Sequence, residues 1–146
     1  MKPSIWLKIL AGLLALFALG HTLGTASPKA IHGPEEASLF QAMQNVHFPI
    51  MGFNRSHWEF YRGFALIISL QLIVMMAIAW QLSLIAKRNP RQALPMAITL
   101  QAGCIGLAVL AFMFFFGGPI LMSLLSVACS TLVVVLIVNS KEKEAA

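Results

Sequence analysis

Charge, histidine, aromatic side chains and glycine crowd together in one segment of the sequence, residues 51–63. It reads Met-Gly-Phe-Asn-Arg-Ser-His-Trp-Glu-Phe-Tyr-Arg-Gly and comes directly before a long apolar run. Imidazole, carboxylate and guanidinium groups are the ones that transfer protons, bind metals or hold charged ligands. If the protein has a chemical site, we expect this segment to form one wall of it.

Glu59 has a structural and a functional interpretation. Ser56 followed three residues later by Glu59 matches a capping box, in which two side chains bind the free backbone N–H groups at a helix start. Glu59 is also spaced to pair with Arg55 and Arg62 on one helix face. Both arrangements explain Glu59 without catalysis, and the alternative is a carboxylate that contacts a ligand.

Arg62 would lie one helical turn inside Trp58, at the edge of the hydrocarbon. Its side chain could extend to lipid headgroups. It could instead face inward and hold Glu59 or an anionic ligand head, because an ionisable residue in a membrane segment is a functional candidate. With Arg55 and Tyr61, it belongs to the ligand-binding candidates of this segment.

Two histidines flank the same region. His21 lies near the end of the first apolar run and His57 lies at the start of the second. If their helices pack side by side, the two imidazoles could bind haem or a metal, with His47 as a further candidate. The sequence has no His-x-x-x-His or Glu-x-x-His spacing. We therefore predict no metal site and assign no cofactor; a hydrogen bond between helices is the commoner role.

Two amides fall near the middle of apolar runs, Gln71 in the second and Gln101 in the third. A buried amide in lipid needs a hydrogen-bond partner. We expect the two amides to bond each other or Ser126 and Ser130. If they line a pocket instead, they would offer a ligand a polar contact.

The composition indicates a membrane protein. Of 146 residues, 59% are apolar and only 10% are charged, too few charges to keep the surface of a soluble domain hydrated. The net charge of +5 could suggest nucleic acid as a partner. The basic residues, however, lie in short clusters beside apolar runs, which is the positive-inside pattern. We expect membrane lipids as partners and no nucleic acid.

Four apolar runs approach or exceed the roughly 20 residues that a spanning helix needs. The predicted fold is all-α, a single four-helix transmembrane domain with a short amphipathic helix in the loop between the first two spans. The predicted spans are 5–24, 58–86, 92–116 and 120–138, with an outer loop at 25–57 and a cytoplasmic tail at 139–146. Residues 117–119, Gly-Gly-Pro, are predicted to end the third helix and restart the chain as the fourth.

The amphipathic helix is predicted to begin at Pro34, a favoured first helical residue. Phe40, Met43 and His47 would share one side of it, and Pro49 would end it.

Residues 87–91 form the most basic connector and should face the cytoplasm. This places both termini in the cytoplasm and predicts a multi-pass protein of the inner (plasma) membrane. Residues 1–26 could also be a cleaved signal peptide. The apolar run reaches spanning length, which favours a retained helix.

The layout resembles a family of small, uncharacterised four-helix bacterial inner-membrane proteins. The resemblance covers nearly the whole chain. It depends on Gly20-His21 at the end of the first span, Met51-Gly52 and Arg55-Ser56 before the second, and then Phe60 and Gly63-Phe64. The architecture is also similar to that of DoxX-like proteins and of vitamin K epoxide reductase-like proteins, although the sequence lacks the Cys-x-x-Cys pair of the latter. The resemblance implies the four-span fold but no activity.

We expect a protein that binds a lipid-like or isoprenoid-like molecule at the outer side of the helix bundle. The polar head would be met by four side chains beneath the loop helix: His21, His57, Glu59 and Arg62. Two alternatives stay open, and with them the question of whether the protein is an enzyme. One is a haem- or metal-binding enzyme or electron-transfer module. The other is a structural accessory subunit that docks onto a larger complex through small-residue faces at Gly20 with Gly24 and Gly103 with Gly106. A homo-oligomer also stays open.

Overall fold

The computed structural model of the protein describes residues 2–26 and 32–145, with side chains through residue 140. The described residues form five helices and two short strands. In chain order these are α1 (Pro3–Ala26), α2 (Pro34–Asn45), β1 (His47–Ile50), β2 (Phe53–Ser56), α3 (His57–Arg88), α4 (Pro90–Phe114) and α5 (Gly117–Ala145). Four of the helices are long and apolar enough to cross a membrane, namely α1, α3, α4 and the part of α5 up to Ser140. The predicted all-α class, with a short helix between the first two spans, is confirmed.

The turn between α4 and α5 lies earlier than predicted. α4 ends at Phe114, and Phe115 is extended with φ −122° and ψ 178°. Gly117 and Gly118 are already part of the first turn of α5. The expectation of a glycine cap on α4 was therefore wrong. Proline is tolerated in the first turn of a helix, so α5 can begin two residues before Pro119.

The chain forms two compact units. The first contains residues 2–17 and 72–145, so all four spanning helices contribute to it. Leucines that are almost fully buried form its centre, and on α4 the buried side chains are mostly small. The most deeply buried leucines are Leu7, Leu10 and Leu14 on α1 and Leu72 and Leu82 on α3. Small side chains let helix backbones approach closely in a membrane, where apolar surface alone does not drive helices together.

Buried serines on α5 are satisfied by their own helix. The hydroxyl of Ser123 donates to the Ile120 carbonyl at 2.9 Å, and that of Ser126 donates to the Met122 carbonyl at 2.9 Å. Both serines are fully buried. A hydroxyl without a partner would be costly in an apolar interior, and the bond to the previous turn removes that cost without a partner on another helix.

The second unit contains residues 18–26 and 32–71, and it includes a β-hairpin where the sequence predicted only helix and loop. β1 pairs antiparallel with β2, with His47 opposite Ser56 and Ile50 opposite Phe53. Between them, Met51 and Gly52 have φ of 49° and 84°. Positive φ at both loop residues is what the favoured two-residue hairpin turn requires.

The loop helix α2 is shorter than predicted, because the first strand of the hairpin begins at His47. α2 begins at Pro34 as expected, but it ends at Asn45 and Val46 is extended. His47 therefore lies on a strand and does not share a helical face with Phe40 and Met43. The physical reason is that a residue before proline avoids the helical region, which keeps the segment around Pro49 extended.

We predict that Ala97→Leu destabilises the first unit. The Ala97 side chain is only 2% exposed, so added carbon atoms must displace neighbours, at a cost of about 1–3 kcal/mol. The free energy of unfolding, measured by titration with SDS in mixed micelles, should fall by this amount. Ala102→Leu is the matched control, because Ala102 lies on the exposed face of the same helix. An equal loss in both variants would contradict the packing described for α4.

Met51→Asn should stabilise the hairpin. An ordinary side chain with positive φ is strained, whereas asparagine adopts this conformation readily. We expect hydrogen exchange of the hairpin amides to slow, corresponding to up to about 1 kcal/mol. Met51→Ala removes the same exposed side chain without this preference and should give no such protection. Equal protection in the two variants would show that backbone strain at residue 51 is not the cause.

Candidate functional site

The first turn of α3 is held by a reciprocal capping box, as predicted. The Ser56 N–H donates to Oε2 of Glu59 at 2.8 Å. In return, the Glu59 N–H donates to Oγ of Ser56 at 3.1 Å. Because Ser56 is also the last residue of β2, the cap joins the hairpin directly to the spanning helix. One carboxylate oxygen of Glu59 is thereby fixed in place.

The second carboxylate oxygen of Glu59 faces Arg55. Nη1 of Arg55 lies 3.4 Å from Oε1, and the two side chains are 50% and 48% exposed. The Arg55 guanidinium also lies over the Phe53 ring, 5.8 Å from its centroid. Of the predicted Arg-Glu-Arg ladder only this half forms, since within the described part of the chain no ion pair joins Arg62 to Glu59.

A cavity lies beside this ion pair, open along one face of α3. Its volume is about 420 Å³. We call it the α3 groove, and its lining consists of Arg55, Glu59, Phe60, Gly63, Phe64 and Ile67. The residues after Glu59 recur at helical spacing of three and four, so they share one face. The groove therefore has an apolar wall, and the Arg55–Glu59 ion pair lies at one end of it.

Gly63 leaves open space on the groove face of α3. A Cβ atom placed on Gly63 would have no neighbour within 4 Å, so the space above its backbone is open. Phe60 and Phe64 also line the groove, and their rings contact each other edge to face with centroids 5.1 Å apart. Gly63 lies within the charged and aromatic segment 51–63. Phe60, Phe64 and Ile67 line the groove as well, although they are not among the residues predicted to contact a ligand. A glycine between aromatic residues on one helix face is the signal that could have identified them.

Aromatic contacts hold the other side chains of this segment. The Phe48 ring of β1 lies 4.9 Å from the His57 ring and 5.6 Å from the Phe60 ring. Tyr61 stacks on Trp58 at 5.5 Å. Thus His57 and Tyr61, both predicted to contact a ligand, contact aromatic rings and do not line the α3 groove.

His21 does not line the α3 groove but forms a hydrogen bond elsewhere in the second unit. Its Nδ1 lies 3.0 Å from Oγ of Ser69 on α3. The Thr22 hydroxyl lies 2.9 Å from the same oxygen and 2.7 Å from the Ala18 carbonyl. This is the hydrogen bond between helices that the sequence analysis considered the commoner role for this histidine.

Arg62 lines a smaller cavity of about 90 Å³ together with Thr22, Thr25 and Ala26 of α1 and with Ala65 and Leu66 of α3. It shares neither the α3 groove nor an ion pair with Glu59. The structure therefore does not gather His21, His57, Glu59 and Arg62 around one cavity. Only Glu59 lines the larger one, where it is joined by Arg55.

The side-chain amides of Gln71 and Gln101 do not bond each other. Nε2 of Gln101 donates to Oγ1 of Thr131 at 2.9 Å, so the expectation that it bonds Gln71, Ser126 or Ser130 was wrong. The two serine hydroxyls donate to carbonyls of their own helix, which leaves the threonine as the available partner. The Gln71 side chain is exposed.

The described residues contain no group of three His, Cys, Asp or Glu side chains that could hold a metal ion. Nδ1 of His47 lies 2.9 Å from the Asn45 carbonyl, which accounts for one nitrogen of the remaining metal candidate. The imidazoles of His21, His47 and His57 each have a separate neighbour in the second unit. The α3 groove is therefore the strongest candidate site.

Substitutions of Glu59 should separate its capping role from its charge. Glu59→Ala removes the bond to the Ser56 N–H and should destabilise the first turn of α3 by about 1 kcal/mol, or about fivefold faster amide exchange. Glu59→Gln keeps a capping oxygen and should retain slow exchange. The measurement is hydrogen exchange at residues 57–60 by mass spectrometry. If both variants exchange equally fast, the charge rather than the cap holds this turn.

The chain was compared with protein-family models, with curated proteins and with solved structures. None of the three comparisons found a match. The function therefore has to be inferred from the residues of the α3 groove.

Proposed function

We propose that this multi-pass membrane protein binds a lipid-like or isoprenoid-like molecule in the α3 groove. The observation that supports the proposal is the arrangement of the lining, with the Arg55–Glu59 pair at one end and Phe60, Phe64 and Ile67 beyond it. An amphiphile has the same division between a charged head and an apolar chain. The head would lie beside the ion pair and the chain along the aromatic wall.

The dimensions agree with such a ligand. A volume of about 420 Å³ falls within the range of roughly 300–1,000 Å³ found for small-molecule sites. From Glu59 to Ile67 the groove follows α3 for about 12 Å, at about 1.5 Å per residue. This length carries a bound chain from the start of a spanning helix towards the hydrocarbon.

The lining favours binding over covalent chemistry. The described residues around the groove supply one carboxylate and one guanidinium, with no serine, cysteine or histidine among them. Serine, cysteine and histidine are common nucleophiles and proton-transfer groups of enzymes, and the one carboxylate in the lining, that of Glu59, is bound by the Ser56 N–H and by Arg55. The proposed role is therefore to hold a membrane molecule, with Arg55 and Glu59 as its polar contacts.

The proposal places the groove on the outer side of a bacterial inner membrane, with both termini in the cytoplasm. The support comes from the sequence, because the basic residues of 87–91 lie in the last turn of α3 and the first turn of α4. Positive charge beside a span favours the cytoplasmic side, and the groove lies at the opposite end of the same helix.

Gly63→Leu should reduce lipid retention about fivefold or more. A Cβ atom at this position has no neighbour within 4 Å, so a leucine side chain has open space to occupy on the groove face. Even a clash of about 1 kcal/mol corresponds to about fivefold weaker binding. The measurement is native mass spectrometry of the full-length protein in mild detergent, counting the lipid mass bound per chain.

Gly106→Leu is the matched control, because Gly106 also lies on a spanning helix and has no neighbour within 4 Å of an added Cβ. This variant should retain as much lipid as the wild type. Equal retention in Gly63→Leu would contradict binding in the α3 groove. A partner chain at fixed stoichiometry, with no lipid in its place, would favour the accessory-subunit alternative.

A further inference from the structure

We infer that the α3 groove selects a zwitterionic headgroup, one in which a phosphate is joined to a primary ammonium group, as in phosphoethanolamine lipids. The inference depends on the proposed function and adds the chemical class of the ligand. It is derived from the charges at the polar end of the groove. There, one cation and one anion are presented together, Arg55 and Glu59, 3.4 Å apart.

A headgroup of a single charge would match only half of this site. A purely anionic head would be attracted by Arg55 and repelled by Glu59, and a purely cationic head would meet the reverse. A head that carries both charges can pair its phosphate with the guanidinium and its ammonium with the carboxylate. Selection of this kind comes from the unfavourable contact as much as from the favourable one.

Glu59 is prepared for an ammonium ligand. Its Oε2 accepts the Ser56 N–H at 2.8 Å, so the carboxylate cannot turn away without breaking the cap of α3. Its Oε1 contacts Nη1 of Arg55 at 3.4 Å, well beyond the roughly 2.7–2.9 Å of a strong charge-assisted bond. Oε1 therefore has capacity for a shorter bond from a ligand ammonium.

Arg55 is prepared for the phosphate in a similar way. The guanidinium carries five N–H groups, and the contact with Glu59 uses one nitrogen, Nη1. The Phe53 ring lies 5.8 Å from its central carbon and supports the side chain from the hairpin. The remaining N–H groups can form the paired bonds to phosphate oxygens that arginine makes best.

The existing ion pair would not prevent this exchange. Both side chains are about half exposed, and exposed pairs contribute little to stability. A headgroup inserted between them replaces one long contact by two charge-assisted bonds. Phe60 is the lining residue next to Glu59. A headgroup bound between Arg55 and Glu59 would therefore place its acyl chain along the apolar wall of the groove.

The experiment uses the full-length protein in mild detergent with an equimolar mixture of phosphatidylethanolamine and phosphatidylglycerol of identical acyl chains. Bound lipids are identified by native mass spectrometry. We expect the wild type to retain phosphatidylethanolamine about three- to fivefold better than phosphatidylglycerol, the value of a partly exposed charge pair. Glu59→Gln keeps the cap but removes the negative charge, and it should lose or reverse this preference.

Glu35→Gln is the matched control, because it removes the same charge from α2, away from the groove lining. It should leave the lipid ratio unchanged. Arg55→Gln should weaken retention of both lipids, since both carry the phosphate. An adduct of inorganic phosphate alone, without acyl chains, would overturn the assignment of a lipid.

The outcomes separate this inference from the proposed function. If the wild type retains both lipids equally and Glu59→Gln leaves the ratio unchanged, the headgroup inference fails. Lipid retention that still depends on Gly63 would, in that case, leave binding in the groove intact. If retention is insensitive to Gly63→Leu, the groove itself is not the binding site and both fail.

Discussion

The reciprocal hydrogen bonds between Ser56 and Glu59 join the hairpin to α3 at the polar end of the candidate site. They begin α3, end the hairpin and hold the Glu59 carboxylate beside Arg55. A helix start has backbone N–H groups without partners inside the helix, so some side chain must satisfy them wherever α3 begins. Because the chosen cap follows a β-strand without a linker, the hairpin and the polar end of the groove are placed by the same two bonds.

Buried polar side chains elsewhere in the protein also need hydrogen-bond partners. Within the described residues, no buried side-chain nitrogen or oxygen lacks a hydrogen-bond partner. The α5 serines donate to their own helix, whereas Gln101 reaches Thr131 and His21 reaches Ser69. In hydrocarbon an unpaired polar group costs several kcal/mol. The buried polar side chains of the spans are thus explained by hydrogen bonds within the protein, which distinguishes them from the half-exposed Arg55–Glu59 pair.

The groove is formed by three local sequence features, each of which is common by itself. Gly63 has no side chain, Phe60 and Phe64 form a contacting aromatic pair in the lining, and the Ser56–Glu59 cap holds a carboxylate at one end. Lipid-facing aromatic residues are common near membrane interfaces, and a single glycine in a span is common as well. Their coincidence on one face of α3 produces a cavity with a charged end, and the proposed function depends on that coincidence.

The sequence by itself determined the features that follow from local spacing and from the length of apolar runs. These include the four spanning helices, the start of α2 at Pro34 and the Ser56–Glu59 cap, because helix periodicity and capping act within a few residues. Tertiary structure decided the rest. The hairpin depends on pairing between His47 and Ser56 across a turn, and the partners of His21 and Gln101 depend on how helices rotate against each other. Such rotations are set by packing between distant segments, so the spacing of residues along one helix cannot reveal them.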